Sequence, residues 1–274
     1  MRILFVGDIV GKPGRRAALH IIPSLRDQYR VDFVIVNAEN AAGGTGITPD
    51  IARVLISEAK SDVLTLGNHA WAKKEIYPYL NEEPRILRPA NYPPGVPGRG
   101  YGIFESPAGP VAVISLMGRV FMAPLDDPFR AADAIISEVK AKTATLIVDM
   151  HAEATSEKQA FGWHVNGRVS AVIGTHTHVQ TADEQILSGG TAYLTDVGMT
   201  GPIHSIIGMR YDIIVSRFTS QLPAHFEVAE GDALLCAALI ETDDHTGRAL
   251  SIQRLQIREQ GGDPSPAESQ PGGE

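Results

Sequence analysis

The sequence predicts a layered α/β fold, a sandwich in preference to a TIM barrel. Three observations carry that expectation: short β-branched runs alternate with helical stretches in the first half, the second half turns strand-rich, and no helix-strand repeat closes a barrel. The length of 274 residues, at about 150 per domain, allows one large unit or two small ones with a sizeable core. Apolar residues at 43% and charged residues at 20% match an ordinary globule, which excludes disordered, collagenous, coiled-coil and disulfide-scaffold classes.

Strands are expected at residues 3–6, 33–36, 63–66, 111–116, 145–148 and 169–173, each a β-branched run that ends in a polar cluster. Helices are expected at 15–29, 49–60, 71–80, 128–142 and from 155 or 156 to 164. Thr48 caps the second with Pro49 at its first position, and Asp127 caps the fourth. The later apolar runs 192–194, 211–218 and 233–241 read as hairpin-like strands. Gly43 to Gly46 and the Pro/Gly-rich stretch 89–100 read as loops, because strand patterns continue on both sides. Residues 1–258 are thus expected to form one domain, and 259–274, polar and rich in Gly and Pro, a disordered tail.

Lys plus Arg number 24 and Asp plus Glu 32, a net charge of −8, which argues against stable binding to nucleic acid or an anionic membrane through bulk charge. The longest apolar run, 233–240, is far short of the roughly 20 residues that a membrane span needs. The opening Met1 to Val6 is too short for a signal peptide and is followed by Asp8, so a cytoplasmic location is expected. The single Cys236 lies in an apolar segment and reads as a small buried hydrophobe.

Chemistry gathers at the strand ends. The first ends in Gly7-Asp8-Ile9-Val10-Gly11, the second in Asn37-Ala38-Glu39-Asn40, the third in Gly67-Asn68-His69, the fifth in Asp149-Met150-His151 and the sixth in Gly174-Thr175-His176-Thr177-His178. In open α/β sheets, ligands bind beyond the carboxyl ends of strands. Asp8 taken alone could bind a metal or cap the following helix. His176 and His178 share one side of an extended backbone and could serve one ion or two adjacent ions. Carboxylate, carboxamide and imidazole without thiolate suit Mn, Fe, Zn or a similar first-row ion. Six or seven such ligands imply two ions bridged by a carboxylate, a device that clamps a phosphate and activates water.

In this order the motifs resemble those of the calcineurin-like metallophosphoesterases over Asp8 to His178, and more closely the YmdB branch. There the likeness includes His151-Ala152-Glu153-Ala154-Thr155-Ser156-Glu157-Lys158 and Asp196-Val197-Gly198-Met199-Thr200-Gly201, and reaches about Gln256. The resemblance implies a four-layer αββα sandwich of two mixed sheets flanked by helices, a homo-oligomer, and two divalent ions. Asp8, Asn40 and His178 would hold the first ion, Asn68, His151 and His176 the second, with Glu39 bridging. His69 would stand beside the leaving group as general acid. Asp8-Ile9-Val10 replaces the superfamily's Asp-x-His, so Asn40 substitutes for an imidazole. Ala70 follows the histidine where an acid often stands, which leaves a backbone carbonyl to orient His69.

The implied activity is hydrolysis of phosphodiesters, 3′,5′-cyclic AMP or 2′,3′-cyclic nucleotides, with phosphomonoesters as further substrates. A metal-bridging hydroxide would attack phosphorus while His69 protonates the departing alkoxide. The alternative is a regulatory metal-dependent protein that binds nucleotide or RNA with little turnover. Gly7 to Lys12 is not a P-loop, having three residues rather than four before Gly11-Lys12 and Pro13 after it. Lys12, Arg15 and Arg16 could meet a phosphate or simply face solvent. His20, His225 and His245 read as structural, His164 as a residue near a helix C-terminus, and His204 as pocket-lining or solvent-facing. Asp149 and Glu153 could orient ligands.

Overall fold

A computed structural model describes residues 1–259. The chain runs β1 (Arg2–Val6), β2 (Asp8–Ile9), α1 (Gly11–Tyr29), β3 (Phe33–Asn37), α2 (Pro49–Ser57), β4 (Val63–Thr65), α3 (Ile76–Glu82), β5 (Ile86–Leu87), β6 (Tyr101–Phe104) and β7 (Val111–Met117). It continues through α4 (Pro128–Val139), β8 (Thr145–His151), α5 (Thr155–His164), β9 (Ala171–Thr175), β10 (Gln185–Ile186), β11 (Ala192–Leu194), β12 (Met199–Pro202), α6 (Tyr211–Ser220), β13 (Ala233–Thr242) and β14 (Ala249–Glu259).

The strands make two mixed sheets. One has the order β2-β12-β13-β1-β3-β4-β5, with β14 paired to β13; the other has the order β10-β11-β9-β8-β7-β6. The alternation of side chains along β1 shows how the layers arise. Ile3 and Phe5 point into the space between the sheets, where they meet Ile35, Val113, Ile147 and Ile173. Leu4 and Val6 point outward to Ala18, Ile22 and Leu55 of α1 and α2. The outer face of the second sheet is covered by Ile135 and Ile136 of α4 and Phe161 of α5. The result is the expected four-layer αββα sandwich. β1, β3 and β4 run parallel, as do β7, β8 and β9, so their carboxyl ends open at a common edge. No helix among the described residues is long and apolar enough to cross a membrane.

Several local expectations are corrected. The run 211–218 is helical, not a strand: Tyr211, Ile214, Val215 and Phe218 recur at the i, i+3, i+4, i+7 spacing of a helix face. The helix expected from residue 71 begins at Ile76, because turns of the loop after His69 occupy the preceding residues. β14 has no counterpart among the expected strands; it pairs with β13 from Ala233↔Glu259 to Thr242↔Ala249. Glu259 closes that strand and accepts a pair of contacts from Arg16 Nε at 2.9 and 2.8 Å, one to each carboxylate oxygen. Residues 260–274 of the expected tail lie outside the described residues.

Candidate metal centre

Parallel strand ends deliver all five motifs to one edge. Asp8 lies at β2, just past β1, and it caps nothing, since Val10 is the N-cap of α1. Glu39 and Asn40 follow β3; Asn68 and His69 follow β4; His151 ends β8; His176 and His178 follow β9. Asp8, Glu39, Asn40 and His151 are buried.

His151 is the hub of one half. Its Nε2 lies 3.0 Å from Glu39 Oε1, 2.9 Å from Asn68 Oδ1 and 3.1 Å from His176 Nδ1. Glu39, His151 and His176 could thus hold a metal ion, their ligand atoms all lying within 4.8 Å of one another. In the other half, His178 Nε2 lies 3.3 Å from Asn40 Oδ1 and 3.9 Å from Asp8 Oδ1. Asp8 Oδ1 is buried and has no hydrogen-bond partner, an acceptor that a cation would satisfy.

Outward contacts fix the orientation of each ring. His151 Nδ1–H donates to Thr175 Oγ1 at 2.8 Å, and that hydroxyl donates to Asp149 Oδ1 at 2.7 Å. Asp149 Oδ2 also accepts from Thr65 Oγ1 and, at 3.0 Å, from Asn37 Nδ2. His176 Nε2–H meets Glu153 Oε2 at 3.1 Å, which turns its Nδ1 inward. His178 Nδ1–H donates to the Ile207 carbonyl at 2.9 Å, and Asn40 Nδ2 to the Gly44 carbonyl at 2.8 Å. The ligating oxygens, Nδ1 of His176 and the Nε2 atoms of His151 and His178 therefore face the centre while the other ring nitrogens bond outward, the arrangement by which outer contacts orient metal ligands.

Backbone geometry serves the same end. A Cβ on Gly67 would lie 2.2 Å from His151 Nε2 and 2.3 Å from Glu39 Oε2, so only glycine lets these groups converge. His176 and His178 have φ of 96° and 65°, in the region that costs non-glycine residues of order 1–3 kcal/mol each. The buried pair Lys158–Asp196, at 2.7 Å, stabilises this turn: Asp196 Oδ2 accepts from Thr177 N–H at 3.1 Å and Thr177 Oγ1 at 2.6 Å.

The electrostatics are tightly coupled. Burial raises the Asp8 carboxyl to about 7, against the lowering influence of His178 and His151. Burial also acts to raise Glu39, but the charge and hydrogen bond of His151, with His69 behind them, overcome it and hold Glu39 at about 2. Burial acts to lower His151, and the charge and hydrogen bond of Glu39 reverse this and bring it to about 9. Burial and the charge of His151 depress His176 to about 3. A proton on His151 thus resides where a cation would bind, and Asp8 must also ionise. Metal affinity is accordingly expected to rise with pH through about 7 and on toward 9, with protons released on binding, as checked by manganese titrations at several pH values. Affinity that falls or stays flat over this range would contradict the coupling.

His69 stands beside the centre. Its backbone N–H donates to Glu39 Oε2 at 3.2 Å, and Asn68 Nδ2 lies 3.3 Å from its Nε2. Of the remaining histidines, His20 pairs with Glu259 and His164 with Asp133, and His204, His225 and His245 are exposed. Arg15 bonds the Ala41 carbonyl, and Arg16 is already paired with the Glu259 carboxylate. A cavity of about 590 Å³ lined by Arg26, Phe33, Lys60 and Arg85 contains none of the site residues. Thr65 carries no functional signal in the sequence, and Asn37, Thr175, Lys158 and Asp196 lie within the family-like motifs without being distinguished there as orienting groups. The one legible sign is that Asp149 and His151, two apart on a strand, share a face.

Comparison with known proteins agrees in extent along the chain. Residues 4–255 match the family model described as YmdB-like protein. A Bacillus subtilis (strain 168) protein called 2′,3′-cyclic-nucleotide 2′-phosphodiesterase is 50% identical over 259 residues, 94% of this chain and 98% of that one. Among solved structures, a hypothetical protein from Thermus thermophilus is 46% identical with a TM-score of 0.88, covering 94% of this chain and 100% of its own. A Mycoplasma pneumoniae protein described as a novel phosphatase is 33% identical with a TM-score of 0.89, covering 95% and 94%.

Proposed function

Because the chain belongs to the YmdB-like family, which it matches over residues 4–255, we propose that it is a metal-dependent phosphoric ester hydrolase acting on 2′,3′-cyclic nucleotides. The 2′,3′-cyclic class is preferred to 3′,5′-cyclic AMP because the Bacillus relative carries that name at 50% identity. One observation supports a cation-dependent centre above the rest: a buried, unpartnered Asp8 oxygen joins lone pairs of Glu39, Asn40, Asn68, His151, His176 and His178, with N–H groups turned outward. Seven such donors suit two first-row ions, iron or manganese among them.

Asp8, Asn40 and His178 would hold one ion, Asn68, His151 and His176 the other, with Glu39 shared. When bound, the ions supply positive charge for the phosphate and lower the pKa of a coordinated water. The protein's own part is orientation. Thr175 and Asp149 fix the His151 ring, Glu153 fixes His176, and Ile207 fixes His178. His69 would deliver a proton to the departing sugar oxygen, its placement set by the Gly67-Asn68 turn and by its N–H bond to Glu39.

Metal analysis with turnover of bis-p-nitrophenyl phosphate, followed by a panel of cyclic diesters and monoesters, tests the reading. Two ions per chain with metal-restored turnover supports it; tight nucleotide binding without turnover points instead to a regulatory binding protein. His69→Ala should lower the rate on alkyl leaving groups by about 10²- to 10⁴-fold while leaving metal content unchanged. p-Nitrophenolate, which needs no proton, should be affected far less. Equal losses on both leaving groups would remove the acid role.

A further inference from the structure

The loop after β7 leaves the sheet beside the centre. Met117 is paired with His151, Gly118 N–H donates to the His151 carbonyl at 2.9 Å, and Ser115 Oγ donates to the carbonyl of Leu66, which precedes Gly67-Asn68-His69, at 3.0 Å. Both ends of the loop are fixed. Asn91 Nδ2 donates to the Met117 and Asp126 carbonyls at 2.8 and 2.9 Å, and its Oδ1 accepts from Met117 N–H at 2.9 Å. Buried Glu157 of α5 accepts from the backbone N–H groups of Arg119 at 2.9 Å and Val120 at 3.2 Å.

At the tip of this braced loop stands Phe121, with φ of 62° and 89% of its surface exposed. A bulky side chain at positive φ is an outlier that persists only where surrounding contacts impose it, and such residues concentrate at ligand clamps. Phe121 is the third residue after Gly118, a reach of at most about 10 Å. The aromatic rings that follow His69 and β5 are already engaged with one another: Trp71 packs edge-on to Tyr77 and Tyr92, with centroids 5.5 and 5.3 Å apart. Phe121 has no such ring partner among the described residues and offers both faces.

We propose that Phe121, on the loop that leaves β7 beside His151, is a specificity-determining platform on which the nucleobase of the substrate stacks. This rests on the nucleotide reading above. The ring gives base-dependent affinity without hydrogen-bond selectivity, so purine and pyrimidine cyclic nucleotides are both accepted, in order of stacking strength.

Two measurements test it. Phe121→Ala should raise KM for adenosine 2′,3′-cyclic phosphate about five- to hundredfold more than KM for the base-free ribose 2′,3′-cyclic phosphate, with kcat changed little. Phe121→Trp should restore the lower KM. The new tryptophan should also be quenched by adenosine 5′-monophosphate but not by inorganic phosphate at equal concentration. An equal change on both substrates, or none on either, overturns the platform. If the metal-loaded parent protein hydrolyses no phosphodiester, the hydrolase reading fails, and quenching still decides whether Phe121 meets a base.

Discussion

On the two-ion reading proposed above, His151→Ala is expected to remove one divalent ion and to lower phosphodiester turnover by about 10³-fold or more, since an ion at the reacting phosphate would contribute several kcal/mol of charge stabilisation. The physical reason is the density of contacts at one ring. Nε2 of His151 lies within 3.1 Å of Glu39, Asn68 and His176, so its loss opens the second half of the centre at its middle. Buried Glu39 also loses its nearest cationic partner, and part of the effect will be on stability. Asn68→Ala separates these contributions, because Asn68 is only half-buried and carries no charge. It should reduce metal content and turnover while circular dichroism and melting temperature stay close to the parent. Elemental analysis giving the parent metal content in both variants, with parent turnover, would remove the assignment of these ligands.

Lys158→Met should destabilise the fold by about 3–5 kcal/mol, as expected when one partner of a buried ion pair is removed. Lys158 is 1% exposed and Asp196 fully buried, so the carboxylate left behind has neither water nor a counter-charge. The loss is local to the turn that carries His176 and His178, because Asp196 holds Thr177 through both its N–H and its hydroxyl. Adding Asp196→Asn to Lys158→Met should recover much of the stability, since the stranded charge disappears while an oxygen remains to accept from Thr177. Denaturant unfolding of the single and double variants measures both effects. A cost below about 1 kcal/mol for Lys158→Met would show that the ammonium does not compensate Asp196, the value expected of an exposed pair.

The centre was legible to an unusual depth, and the reason lies in β geometry. A strand fixes where its chain ends, and parallel strands with crossover helices put those ends on one side. Asp8, Glu39, Asn68, His151 and His176 each follow or end a β-branched run, so their convergence could be argued without coordinates. The first and last of these residues are far apart in sequence, yet His176 N–H reaches Asp8 Oδ2 at 3.5 Å. Where residue type misleads, the fold differs: the stripe of Tyr211, Ile214, Val215 and Phe218 has helical spacing and belongs to a helix, although its residue types favour strands. β14 is hard to see in the sequence because few positions along it are buried, and polar residues fill much of the rest.

The sequence by itself determined which strand ends carry the ligand types and hence the class of chemistry, because residue identity and short-range periodicity are local properties. The tertiary structure alone decided which group orients which. That Thr175 links His151 to Asp149, that Asn37 reaches Asp149 across 112 residues, and that Lys158 meets Asp196, depend in turn on how β8 pairs with β9, how the two sheets stack and how α5 lies on the second. Such pairings leave no spacing in the chain, since a buried polar group is satisfied by whichever partner packing brings within hydrogen-bond reach.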